Sequence, residues 1–243
     1  MRIIIISILV SGSIFAQGFL HNMDGEVVDG NGEPILLRGF GLGGWLVPEG
    51  YMLHNQAWIE GFESPTDIEN HVIDLIGQDE ANEFWELYRA NYVAQADIDK
   101  IAEWGFNHIR VPFHYKQFYD STGTETPIGY AIVDELITWC QPHNIYIILD
   151  MHCAPGAQNG GPISDSDGIA RLWLEDSYKE LTIQIWKEIA TYYADHTLIA
   201  GYDLINEPVL PSGVSLEEFK QLYVDITEAV SYTHLTLPTK VTV

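Results

Sequence analysis

The chain reads as an α/β protein built on a parallel sheet, and three observations carry that reading. Four strand-length runs (Ile35 to Phe40, Phe106 to Phe113, Ile145 to His152, Ile199 to Ile205) alternate with helical stripes, and strict alternation of this kind implies parallel strands joined by helices. The last run is apolar apart from Asp203, close to the pattern of a strand buried on both faces. It ends in Asn206-Glu207-Pro208, a carboxylate placed where a buried strand stops and a proline forces a turn.

Taken in order, the elements are marked by their own chemistry. Arg2, the apolar run Ile3 to Val10 and the small-residue exit Ser11 to Ala16 have the form of a secretion signal cleaved after Ala16. The run is far shorter than the ~20 residues of a membrane span. Asp29-Gly30-Asn31-Gly32-Glu33-Pro34 is turn chemistry between two short strand-like runs. The first long strand then leads into a Gly-rich loop, Gly41 to Trp45. Phe84, Trp85, Leu87, Tyr88 and Tyr92 follow at helical spacing. Asp97 opens a helix with Ile98, Ile101 and Ala102 on one face, and Gly105 stops it.

Ile132, Val133, Leu136, Ile137 and Cys140 mark the helix after the second strand, and Leu181, Ile185, Ile189 and Tyr193 the helix after the third. Ser215 with Glu218 is a capping box opening a helix whose buried face is Phe219, Leu222, Tyr223 and Ile226. Trp104, Trp139 and Trp186 lie in these stripes and are expected in the core.

The chain holds 11 Lys+Arg against 35 Asp+Glu, a net charge of −24. Like charge repels, so neither nucleic acid nor an anionic membrane is an expected partner, and the balance suits a soluble protein with a neutral substrate. The two cysteines, Cys140 and Cys153, make no disulfide framework and lack neighbouring zinc ligands. Both are expected to be small apolar fillers.

Four segments fall at consecutive strand ends: Leu37-Arg38-Gly39-Phe40-Gly41-Leu42-Gly43-Gly44-Trp45-Leu46, Gly105 to His114, Leu149-Asp150-Met151-His152-Cys153-Ala154-Pro155-Gly156-Ala157-Gln158-Asn159-Gly160, and Gly201 to Pro208. In this order they resemble glycoside hydrolase family 5, the cellulase-like retaining β-glycosidases, from about Pro34 to Pro208. The resemblance implies a (β/α)8 TIM barrel, here truncated to roughly its first four β/α units, since a whole barrel needs ~250 residues. It implies an endo- or exo-acting hydrolase of β-linked glucans or related polysaccharides, using no cofactor and no metal. Glu207 would be the general acid/base and Asn206 would bond the sugar 2-hydroxyl. Arg110 and His152 would line the same site with His114 nearby, and Trp45 and Trp173 are candidates for sugar stacking.

The residues support several of these roles without the family. Retaining cleavage needs a proton donor and a second carboxylate about 5–5.5 Å away as nucleophile. Side chains alternate along a strand, so His108, Arg110, Pro112 and His114 share one parity and Asp150 shares one with His152. Arg110 and His152 then point inward together from neighbouring strands. A buried arginine needs an anionic partner; a catalytic carboxylate would serve, and so would a core salt bridge. His152 as a satisfied buried histidine and Asn206 as a plain turn residue remain alternatives.

Three departures from the family pattern matter. Gly41 stands where the family often has Asn, Cys153 stands where it has a small Gly, and the seventh strand with its nucleophilic Glu has no counterpart here. Val230 to Thr239 resembles the translation of a sequencing adapter. Residues 17–229 are therefore expected to be the N-terminal half of a catalytic barrel, and 230–243 a non-native tail. This polypeptide alone is expected to be inactive. Two other readings stand beside this one: a non-catalytic carbohydrate-binding barrel, and a metal-dependent hydrolase prompted by Asp150-Met151-His152 and the 9 His.

Overall fold

The computed structural model describes residues 18–53, 62–120 and 122–233. The expected signal segment and most of the expected tail lie outside them. A hairpin opens the described chain: β1 (His21–Met23) and β2 (Glu26–Val28) pair antiparallel. Its turn is Asp24-Gly25, both at positive φ, which matches the two-residue hairpin turn that follows strand twist. The Asp29 to Pro34 turn follows as expected. Asp29 Oδ1 accepts from the Asn31 N–H at 2.8 Å and the Glu33 N–H at 3.0 Å.

The main sheet has four parallel strands in the order β3 (Gly39–Gly41), β4 (His108–His114), β5 (Tyr146–Cys153), β6 (Ile199–Asp203). Between β3 and β4 the chain makes a long excursion through α1 (Gly50–Leu53), α2 (Pro65–Ile76), α3 (Gln78–Tyr92) and α4 (Gln95–Glu103). Single helices follow the other strands: α5 (Ile128–Cys140), α6 (Asp176–Tyr192) and α7 (Leu216–Thr233). These are four successive β/α units.

The first strand is shorter than the run Ile35 to Phe40 suggests, and the cause is local. The Asn107 side chain holds Ile35 to Arg38 outside the ladder, accepting from the Arg38 N–H at 2.8 Å and donating to Leu36 O at 2.9 Å. Where pairing begins, Gly39 sits so close to β4 that a Cβ would fall 1.7 Å from His108 O. Asp97 and Gly105 bound α4 as their chemistry implies. Asp97 accepts from the Ala94 N–H at 2.9 Å, and Gly105 sits at φ +81.

The core lies between the outer face of the sheet and the helices. Ile109, Val111 and Phe113 of β4 and Ile147, Leu149 and Met151 of β5 pack with Val133, Leu136 and Ile137 of α5 and Ile185, Trp186 and Ile189 of α6. Cys140 and Cys153 are buried free thiols. Trp186 is in the core, but Trp104 is 58% exposed. It follows the last turn of α4 beside Phe40 on the edge strand β3, where no described element covers it.

The capping box of α7 is present: the Glu218 N–H donates to Ser215 Oγ at 3.2 Å and the Ser215 N–H to Glu218 Oε2 at 2.8 Å. This helix runs to Thr233, four residues into the segment expected to be a non-native tail. Val230 lies one turn beyond buried Ile226 and packs on the same core, which prolongs the apolar stripe. Among the described residues no helix is long and apolar enough to cross a membrane.

Candidate active site at the strand ends

The inner face of the sheet carries polar residues at its carboxyl ends, and one carboxylate organises them. Asp150 Oδ2 pairs with Arg110 Nη2 at 2.9 Å and accepts from His152 Nδ1 at 2.7 Å. Arg110 also donates to Asp203 Oδ2, from Nη2 at 2.8 Å and Nε at 3.1 Å, and to Asn206 Oδ1 at 2.9 Å. The parity argument brought Arg110 and His152 together correctly. The anionic partners of Arg110 are Asp150 and Asp203, however, so the salt-bridge alternative describes its contacts. His152 Nδ1 faces Asp150, and Asn206 Nδ2 lies 3.3 Å from its Nε2. Burial pushes the Asp150 carboxyl above its ordinary range, against the pull of His152 and Arg110.

Glu207 follows this cluster directly and is exposed. Its φ is +44, a left-handed conformation that costs a non-glycine residue on the order of 1–3 kcal/mol and persists only where the surroundings impose it. Two consecutive side chains of the loop after β5 meet this turn. Gln158 Nε2 donates to His152 O at 2.6 Å and Asn206 O at 2.8 Å, and Asn159 Nδ2 donates to Glu207 O at 2.9 Å.

A second carboxylate, Glu49, is 3% exposed with Oε1 3.7 Å from His152 Nε2. Burial raises its pKa, His152 opposes the rise, and the charges of Glu207 and Asp150 add to it. Sequence reading missed Glu49, Gln158 and Asn159. The signal for Glu49 was available: Pro48-Glu49 follows the first strand much as Glu207 follows the fourth.

Three expected site residues are placed elsewhere. His114 is buried in a separate cluster, with Nε2 2.9 Å from Asp165 Oδ2 and Nδ1 accepting from the Lys116 N–H at 3.1 Å. A register shift between Phe113 and His114 aligns His114 with Cys153, which breaks the parity it was expected to share with Arg110. Trp45 is 2% exposed and donates its indole N–H to Arg89 O at 2.7 Å. Trp173 is equally buried, donates to Gln158 O at 2.8 Å and packs on Phe219. Neither ring presents a face for stacking, because both are buried, Trp45 against α3 and Trp173 against Phe219 of α7, with their one polar atom satisfied.

Asp150 and His152 bond each other, and among the described residues no three His, Cys, Asp or Glu side chains group as metal ligands. A groove of about 710 Å³ runs between α2, α3 and α5, lined by Glu69, Trp85, Arg89 and Ile132 among others. Arg110, His152, Asn206 and Glu207 are not among its lining residues.

Successive parallel β/α units with ionisable groups gathered at the strand carboxyl ends define an α/β-barrel enzyme class. The family model for cellulase, glycosyl hydrolase family 5, matches residues 66–236, and the chain belongs to that family. It is 35% identical over 190 residues to a β-xylosidase of Phanerodontia chrysosporium, covering 76% of this chain and 38% of that protein. It is 28% identical over 189 residues to a probable glucan 1,3-β-glucosidase A of Aspergillus niger, covering 77% and 45%. The chain thus spans less than half the length of these curated relatives.

Among solved structures, rutinosidase from Aspergillus niger superposes with a TM-score of 0.66 at 20% identity, covering 83% of this chain and 60% of that one. The β-glucanase SdGluc5_26A from Saccharophagus degradans superposes at 0.58 and 20% identity, covering 91% and 52%. Both support the fold: this is a partial (β/α)8 barrel.

Proposed function

We propose that this chain is the N-terminal half of a secreted, retaining β-glycosidase acting on β-linked glucans or related glycans, with Glu207 as general acid/base. The observation that carries the proposal is the position of Glu207, past the fourth barrel strand and next to the Arg110–Asp150–His152–Asn206 cluster, in a chain of family 5. The names of its relatives, β-xylosidase and glucan 1,3-β-glucosidase, favour glucose- or xylose-based β-glycans.

In this reading the Glu207 carboxyl gives its proton to the glycosidic oxygen as the bond to C1 breaks. A second carboxylate, supplied by the barrel beyond these four strands, takes C1 and forms a glycosyl-enzyme. The Glu207 carboxylate then removes a proton from the water that releases the sugar. Asn206, its oxygen engaged by Arg110, keeps an amide N–H for a sugar hydroxyl, and His152 and Arg110 act by holding it. The segment 1–16 is proposed as a leader and 230–243 as foreign to the native protein; the N-terminus of the exported product and the uninterrupted gene beyond Ala229 test both.

The central test is Glu207→Gln in the complete enzyme. The kcat/KM for glycosides with poor leaving groups should fall by roughly 10²–10⁴, with much less loss of kcat/KM on activated aryl glycosides, whose glycosyl-enzyme forms without that proton. Unchanged turnover of the poor substrates overturns the assignment.

A further inference from the structure

Glu207 occupies a conformation that its own sequence opposes. It is not glycine, yet its φ is +44. It also precedes Pro208, and a residue before proline prefers extended backbone. Something outside the turn must therefore hold it.

The loop after β5 supplies the holding groups. Gly156 and Ala157, at φ +73 and +63, turn the chain back so that Gln158 and Asn159 run beside residues 206–209. The Val209 N–H donates to Gln158 O at 3.1 Å. The side chains then take consecutive carbonyls: Gln158 that of Asn206 at 2.8 Å, and Asn159 that of Glu207 at 2.9 Å. Asn159 is braced in turn. Its Oδ1 accepts from the Gly161 N–H at 2.8 Å and from Ser164 Oγ at 2.9 Å. Gln158, Asn159 and Ser164 are all buried, so these bonds are shielded from competing water.

We propose that Gln158 and Asn159 are positioning residues for the acid/base turn, a two-carbonyl staple that keeps Glu207 left-handed and its carboxyl aimed at the glycosidic oxygen. The claim rests on the reading of Glu207 as acid/base. Release of the staple lets the residue relax toward extended backbone and swings the carboxyl away from its proton-transfer position.

Gln158 is fully buried and makes three side-chain hydrogen bonds, so its replacement endangers the fold, and Asn159 carries the test. In the complete enzyme, Asn159→Ala and Asn159→Asp are compared with Glu207→Gln on phenyl β-glucoside and 2,4-dinitrophenyl β-glucoside. Asn159→Asp keeps the size and the acceptor but loses the amide donor, and it serves alone if Asn159→Ala does not fold.

Both variants should lower kcat/KM on the phenyl glucoside by about 10- to 100-fold, as a misplaced catalytic group does. The dinitrophenyl glucoside needs no proton on its leaving group, and its kcat/KM, which reports only formation of the glycosyl-enzyme, should fall less than about threefold. Its kcat, limited by the water step that Glu207 also assists, should fall together with KM, and Ser164→Ala should show a weaker split of the same kind.

Equal loss on the two substrates, or none, overturns the staple, because a merely structural defect does not distinguish leaving groups. If Glu207→Gln itself shows no split, the acid/base reading fails instead. A crystal structure of the Asn159 variant then decides the staple separately: Glu207 retaining its positive φ refutes it.

Discussion

Arg110 and His152 share one oxygen. Asp150 Oδ2 lies 2.9 Å from Arg110 Nη2 and 2.7 Å from His152 Nδ1, so one carboxylate orients both the cation and the imidazole. The side chain of Asp150 is fully buried, whereas that of Asp203, the other partner of Arg110, is 41% exposed. The two pairs should therefore differ in energy. Removing one partner of a buried pair costs about 3–5 kcal/mol, and an exposed pair contributes about 0–1 kcal/mol. Asp150→Asn should destabilise the complete protein by the larger amount and Asp203→Asn by the smaller. Urea unfolding of the two variants checks this, and equal losses would show that burial does not separate them.

The cluster around His114 makes stability depend on acid. Burial lowers the pKa of His114. Burial alone would raise Asp165, but the hydrogen bond and charge of His114, with Lys116 and Thr66, hold it well below the usual carboxylate range. Both folded-state values are depressed, so in both cases the unfolded chain binds protons first as pH falls. Stability should be fully present near pH 7, decline as pH drops through the ordinary histidine range, and decline further through the ordinary carboxylate range. His114→Gln, which keeps a donor toward Asp165 but not the charge, should flatten the first part of the decline and shrink the second, leaving the share held by Lys116 and Thr66. Melting temperature measured from pH 7 to pH 3 tests this; a wild-type profile flat across that interval would contradict it.

These residues also mark where sequence reading succeeds and stops. The meeting of Arg110 and His152 was legible because regular strands alternate, and the placement of Glu207 past the last strand because an apolar run ended at a proline. His114 was misread because a single register shift reverses the alternation, and no residue type announces a bulge. Trp45 and Trp173 lie beside recognisable motifs, but proximity in sequence says nothing of which way a ring faces. Pro48-Glu49 marks a carboxylate beyond the first strand, but the chain between β3 and α1 has no period from which its inward facing can be read. The Gln158–Asn159 staple joins residues 48 apart, a contact that local pattern does not encode. The helical stripes of α4 to α7 were clear because each depends on its own spacing alone.

Two glycines of the first strand offer a paired test of packing. A Cβ on Gly39 would lie 1.7 Å from His108 O, whereas one on Gly41 meets nothing within 4 Å. Gly39→Ala must push β3 away from β4, and overpacking against fixed backbone costs about 3 kcal/mol or somewhat more. Gly41→Ala should lie within about 0.5 kcal/mol of wild type. Chemical denaturation of the two variants is the measurement, and a benign Gly39→Ala would mean that β3 can slide.

Glu49 gives the opposite pH signature from the His114 cluster. Burial raises its pKa, with Glu207 and Asp150 adding to the rise against His152. A carboxyl whose folded value is raised stabilises the fold at low pH, and that contribution is lost as pH rises through the folded value. At pH 7 the folded state therefore bears the cost of a buried charge next to two other carboxylates. Glu49→Gln keeps the shape, removes that charge and should raise stability at pH 7, with the gain shrinking on acidification toward pH 4. A gain independent of pH would trace the effect to packing, and a loss at pH 7 would show that the interaction with His152 outweighs desolvation. A stability gain at pH 7 in Glu49→Gln would mark a carboxylate kept at a cost to the fold, the pattern of a group retained for its chemistry. If so, the stabilised Glu49→Gln enzyme should also lose turnover, and measuring both quantities on the same preparation distinguishes a functional carboxylate from a merely tolerated one.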